Sequence, residues 1–233
     1  MSQLANSVAQ AGRHRETTPR YVVPFLVFIG FIALQAVAPL PPHVDLPLRV
    51  AVIGALLLFF SRPVIQLAPR HLALSLLLGV GVFLVWIGPD LLFQHYRQSW
   101  LFNNSLTAAS RGPFDTALRQ DSFALVFRLL RAILIVPIVE ELFWRGWLMR
   151  WLIDVDFRKV PLGAYSPLSF WITAVMFASE HGPYWDVGLA AGILYNWWMI
   201  RTKSLADCIL AHAVTNAVLS AWVIFGGHWE YWL

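Results

Sequence analysis

Apolar residues in this chain fall in long unbroken runs rather than in a stripe that recurs every 3.6 residues. A helix that is apolar all round is one surrounded by apolar material, so runs of this kind predict membrane spans. They lie at about 21–40, 48–60, 72–92, 123–150, 166–181, 187–200 and 205–225. Several are shorter than the roughly 20 residues a perpendicular helix needs to cross the hydrocarbon layer. An eighth, half-buried segment is expected within 99–117. Two proline-rich joints, at 39–42 and 63–69, end helices rather than divide domains. No internal repeat or low-complexity stretch interrupts the pattern. The expected organisation is a polar, disordered cytoplasmic tail at 1–20 followed by one all-α transmembrane domain over 21–233. That domain is a polytopic helix bundle of about seven to eight spans.

Composition strengthens this picture. Hydrophobic residues make up 58% of the 233 and charged residues 13%, against about a quarter charged in ordinary soluble domains. Such a chain has too little polar surface to cover a globule in water. The first run is too long for the apolar stretch of a secretory signal and lacks a small-residue cleavage site. Cys208 is the only cysteine and lies in an apolar run, where it reads as a small buried hydrophobe. Many of the twelve tryptophans sit near span ends, as in an interfacial aromatic belt.

The net charge of +4 is spread between the runs, which speaks against nucleic acid as a partner. With the N-terminus inside, inner segments carry Arg13, Arg15, Arg20, Arg62, Arg70, Arg150, Arg158, Lys159, Arg201 and Lys203. Outer segments carry Arg49, Arg97, Arg111 and Arg119. Ten against four follows the positive-inside rule and predicts a multi-pass inner (plasma) membrane protein with a cytoplasmic N-terminus. Arg128 and Arg131 are expected to snorkel near the outer end of their span.

Charge within a span costs about 2.5–3.5 kcal/mol per group even on the lenient scale, so the places that accept it are informative. VPIVEELFWRGWLMR holds Glu140, Glu141 and Arg145 on the fourth span. Glu141 and Arg145 are four apart and share a helix face, whereas Glu140 is rotated by about 100° toward another neighbour. Pro137, one turn earlier, removes a backbone hydrogen bond and can kink the helix beside them. FASEHGP closes the fifth span, with Phe177 and His181 on one face before a Gly-Pro stop. LAHAVTNAV in the last span sets His212 and Asn216 four apart, among small residues that allow close helix approach. Glu180 and the histidines at 14, 43, 71, 95 and 228 receive no role.

A carboxylate beside an imidazole can hold and deprotonate water, and a second imidazole with a carboxamide offers donors to an oxyanion. These are the parts of a hydrolase that attacks a carbonyl with water and forms no covalent intermediate. In this light EELFWR resembles the EExxxR motif of the type II CAAX prenyl endopeptidase and bacteriocin-processing (CPBP/Abi) family. FASEH resembles its FxxxH motif and HAVTN its HxxxN motif, in the family's order. Length and aromatic content are similar to the bacterial branch associated with exosortase systems. The resemblance implies a metal-independent glutamate-type intramembrane endopeptidase with no cofactor, its catalytic core at about 122–225. It implies water activation by Glu140 and His181, oxyanion stabilisation by His212 and Asn216, and structural support from Glu141, Arg145 and Phe177. The partners implied are a membrane-associated protein or peptide substrate and the bilayer itself.

Two other readings stay open. Two glutamates and two histidines could bind zinc or a di-iron centre as a metal-dependent membrane hydrolase, although HExxH and Glu-x-x-His are both absent. The same polar set could also serve a non-enzymatic immunity or peptide-binding protein. One geometric difficulty concerns depth. Counted from their span starts at about 1.5 Å per residue, His181 lies ~22 Å and His212 ~12 Å along their helices, so the two meet only if the helices are staggered or tilted.

Overall fold

A computed structural model describes residues 2–102 and 116–232, and among these every regular element is a helix and none is a strand. The helix α1 (Ser2–Val37) contains the apolar stretch Thr17–Gln35, and the polar stretch expected as a tail carries helical backbone from Ser2 onward. There follow α2 (Pro42–Val64), α3 (Leu72–Leu92), α4 (Ser122–Trp151), α5 (Pro167–Ser179), α6 (Trp185–Thr202) and α7 (Leu205–Gly226).

Five of these are long and apolar enough to cross a membrane: the Thr17–Gln35 part of α1, then α2, α3, α4 and α7. The expected seven to eight spans are not reached by this measure. The difference lies in α5 and α6. With 13 residues, α5 is about 20 Å long at 1.5 Å per residue, short of the ~30 Å hydrocarbon layer. The 18 residues of α6 include Asp186, Asn196 and Arg201, which dilute its hydropathy. These two helices pack along each other. The expected eighth segment at 99–117 lies largely outside the described residues.

Local chemistry sets the helix ends. Asp121 caps α4 by accepting from the N–H groups of Phe123 and Ala124, at 2.9 and 3.2 Å. Ser204 caps α7 through the Asp207 N–H at 3.3 Å. Gly182 follows α5 with φ at 53°, a left-handed conformation that turns the chain sharply after His181.

The closest crossing is between α3 and α7. A Cβ added at Gly79 would lie 2.5 Å from the Ala211 carbonyl oxygen, so only glycine permits this approach. At the same crossing the Thr215 hydroxyl lies 2.9 Å from the Gly79 carbonyl and 3.0 Å from that of Ala211. Asp207, fully buried at the start of α7, accepts from the Arg70 and His71 N–H groups and the Ser75 hydroxyl, at 2.9, 2.7 and 2.9 Å. It thereby satisfies donors at the start of α3 and ties the two helices together at one end.

A further buried charge pair lies within α2. Arg49, expected in an outer segment, donates to Asp45 at 2.8 Å, to the Phe31 carbonyl at 3.1 Å and to Gln35 at 2.9 Å. With its donors filled in this way it fastens α2 to α1.

The fourth helix is not uniform. Wide π-type turns occupy Arg131–Ile135 and Leu142–Leu148, and ordinary α-helix runs between them over Val136–Glu141. Such turns admit one extra residue and recur at functional sites.

Candidate active site

Glu140 and Glu141 end the α-helical piece between the two wide turns of α4. Being consecutive, they leave the helix in different directions, and each is buried. The Glu141 Oε1 accepts from Arg145 Nη1 at 3.1 Å, the pair expected from the spacing of four. Arg145 is itself fully buried, and its remaining donors go to α6. Nε donates to Asn196 Oδ1 at 2.9 Å and Nη2 to the Gly192 carbonyl at 3.3 Å. Its guanidinium carbon lies 4.5 Å from the centre of the Phe177 ring and 5.4 Å from that of Tyr195. A planar cation held between aromatic faces, with its N–H groups on oxygens, is well compensated for leaving water.

The two histidines are oriented through their Nδ1 atoms. His181 Nδ1 lies 2.8 Å from the Phe177 carbonyl. A carbonyl only accepts, so Nδ1 carries the proton and the neutral ring keeps its lone pair on Nε2. Gly188 makes room for this ring, since a Cβ there would lie 3.0 Å from it. His212 Nδ1 is 3.0 Å from Glu141 Oε1, which therefore joins Arg145 and His212. The opposite ring nitrogen, Nε2, sits 4.0 Å from Glu140 Oε2. That carboxylate oxygen is buried without a hydrogen-bond partner among the described residues. Tyr195 stacks on the His212 ring at 5.1 Å and donates to Thr215 at 2.8 Å.

These groups converge on one cavity of about 120 Å³. Glu140, Phe177, His181, His212 and Asn216 all line it, with Trp86, Val136 and Leu219 among its apolar walls. Space of this size holds several waters, or a small group together with water. The depth difficulty is thus answered by packing. Short α5 brings His181 to the cavity wall that His212 reaches from the interior of α7. Glu141 and Arg145 do not line the cavity and stand behind it. Asn216 donates through Nδ2 to the Ala132 carbonyl at 2.8 Å. Among the described residues, no three His, Cys, Asp or Glu side chains are grouped so as to hold a metal ion.

Three contributors were not found from sequence. Tyr195 and Asn196 lie in the middle of apolar α6, and Asn196 stands four residues after Gly192, so that Arg145 can reach both. The isolated polar pair was the available signal. Trp86, whose ring meets His181 edge-on at 5.2 Å, reads in sequence as one more interfacial tryptophan.

A second polar cluster lies beyond His181. Arg97 bonds Asp90 at 3.2 Å, Asp186 at 2.8 Å and the Pro183 carbonyl at 2.6 Å, and packs 4.2 Å from the centre of the Tyr184 ring. Tyr231 donates to Asp90 at 2.9 Å and Tyr96 to Asp186 at 3.1 Å. Burial, and then the charge of Asp186, raise the Tyr96 phenol above its ordinary value and keep it a donor. This knot ties the end of α3 to the turn that follows His181.

Residues 122–218 match the family model described as Type II CAAX prenyl endopeptidase Rce1-like. This stretch, from the start of α4 to just past Asn216, is similar to that family and holds every residue of the three sequence motifs. The family points to a membrane endopeptidase, and with five apolar helices the protein is a multi-pass membrane protein. No curated protein and no solved structure matches the chain.

Proposed function

We propose that this protein is an intramembrane endopeptidase that hydrolyses a peptide bond of a membrane-associated protein or peptide without a covalent intermediate. The observation that carries the reading is the convergence of Glu140, His181, His212 and Asn216 on one small cavity with apolar walls. Water held there gives a proton to the Glu140 carboxylate, one oxygen of which is buried without a hydrogen bond among the described residues, and His181 assists from the same cavity. The hydroxide adds to the carbonyl carbon and the oxygen becomes an oxyanion. His212 Nε2–H and the Asn216 carboxamide donate to it. The C–N bond then breaks and the stored proton passes to the leaving amine, so that atoms and charge balance. Donation from Nε2 to the oxyanion together with donation from Nδ1 to Glu141 calls for a proton on each ring nitrogen of His212. Glu141 orients His212 through Nδ1, and Arg145 holds Glu141.

The same reading puts the protein in the inner (plasma) membrane with its N-terminus in the cytoplasm. Counting α5 and α6 as spans or leaving them out changes the number of crossings by two and leaves the sidedness of every basic segment unchanged.

A survey of new peptide termini tests the activity, comparing cells that carry the wild type with cells that carry Glu140→Gln at equal abundance. Termini should appear with the wild type and vanish with the variant, which keeps the shape of the side chain and lacks its base. If no terminus differs while both versions rescue the same null phenotype, the protein is a binder and not a protease.

A further inference from the structure

The two wide turns of α4 leave one backbone carbonyl with an unusual fate. At the first of them, the Val136 N–H bonds the Arg131 carbonyl, five residues back. In that register the next donor, residue 137, would bond the carbonyl of Ala132. Residue 137 is proline and has no N–H. The Ala132 carbonyl therefore loses its partner in the wide register to Pro137 and its partner in the ordinary α register to Arg131. Asn216, arriving from α7, donates to it at 2.8 Å.

We infer that Pro137 is the positioning residue for the Asn216 carboxamide. By withholding an N–H it keeps the Ala132 carbonyl open to one Nδ2 proton of Asn216, which leaves the other Nδ2 proton for the cavity. Another residue at 137, kept in the wide register, would bring an N–H of its own to the same oxygen. The inference rests on the proposed role of Asn216 as an oxyanion donor, yet its geometric half can be tested without a substrate.

The test uses the full chain in detergent micelles with ¹⁵N confined to asparagine side chains. Asparagine occurs at 6, 103, 104, 196 and 216, and the Asn216 signal is identified by its absence in Asn216→Asp. In the wild type its two protons should differ, the one on Ala132 exchanging about fivefold more slowly with water. In Pro137→Ala this difference should disappear. The Asn196 signal, whose Nδ2 donates to the Phe170 carbonyl at 2.9 Å, should stay in place and report an intact bundle. If Pro137→Ala does not fold, Pro137→Val supplies the same N–H with bulk closer to that of proline.

An Asn216 signal identical in the wild type and the folded variant overturns the inference. A substrate obtained from the survey of termini adds the second half. Its kcat should fall about tenfold to a hundredfold in Pro137→Ala with KM unchanged, less than outright removal of an oxyanion donor. A displaced Asn216 signal with unchanged kcat would make Asn216 a mere plug on a proline-freed carbonyl, and would sink the positioning role. If the survey yields no substrate, the proposed function fails while the spectra still decide how Asn216 is held.

Discussion

Arg145 shows how much can rest on one side chain that does not line the cavity. It is the buried cation behind two glutamates, and its donors reach Glu141, Asn196 and Gly192. Breaking a buried pair from one side leaves an uncompensated charge, at a cost of about 3–5 kcal/mol. Arg145→Met should accordingly lower the thermal midpoint of the purified protein sharply. The double variant Glu141→Gln/Arg145→Met should lose distinctly less. If the double variant is as unstable as the single one, the ion pair is not what holds this corner together. The pair was legible in the sequence because a spacing of four on a helix fixes a shared face. The bond from Glu141 to His212 was not, because it spans α4 and α7 and depends on how two helices are rotated against each other.

Among the elements, the crossing of α3 and α7 is the most tightly specified. Gly79 at its centre leaves no room for a Cβ, and Asp207 closes one end with three hydrogen bonds. Overpacking a tight contact costs about 1–3 kcal/mol and often more where backbone must move. Gly79→Val should therefore reduce monodisperse yield and thermal stability, as followed by size-exclusion chromatography and a melting curve. An unchanged melt would mean that the helices do not approach this closely. The extents of α3, α4 and α7 were read almost to the residue, since long apolar runs between breakers determine them. The weaker elements were α5 and α6. Their runs are apolar enough to suggest spans, but buried protein interior and lipid select the same residues. Length separates the two cases for α5, and the polar residues Asp186, Asn196 and Arg201 do so for α6.

At the scale of the molecule, sidedness can be measured because Cys208 is both the sole cysteine and fully buried. A membrane-impermeant thiol reagent should leave the unaltered chain unlabelled in intact cells. Gln120→Cys, at an exposed position before α4, should react from outside, whereas Lys159→Cys, exposed between α4 and α5, should react only after the membrane is opened. The reverse pattern would invert the topology. The Arg97 knot belongs to this scale too, since it joins α3, α6 and the segment after α7 at one end of the bundle. From sequence Arg97 counted only as one more loop charge, because nothing in its own neighbourhood names Asp186, nearly ninety residues away.

The wide turns of α4 have one consequence for how the helix can change. Upstream, the exposed residues Phe123, Val126, Leu130 and Leu134 form a regular stripe. Seven residues, or two ordinary turns, beyond Leu134 the same stripe would fall on Glu141, a fully buried residue. The wide turn at Arg131–Ile135 splices an extra residue into the helix just before the segment that carries both glutamates. A deletion of one residue within 131–135 would close the splice and swing both carboxylates by about 100°. A change that in most helices only shifts a loop would here put acid against the hydrocarbon.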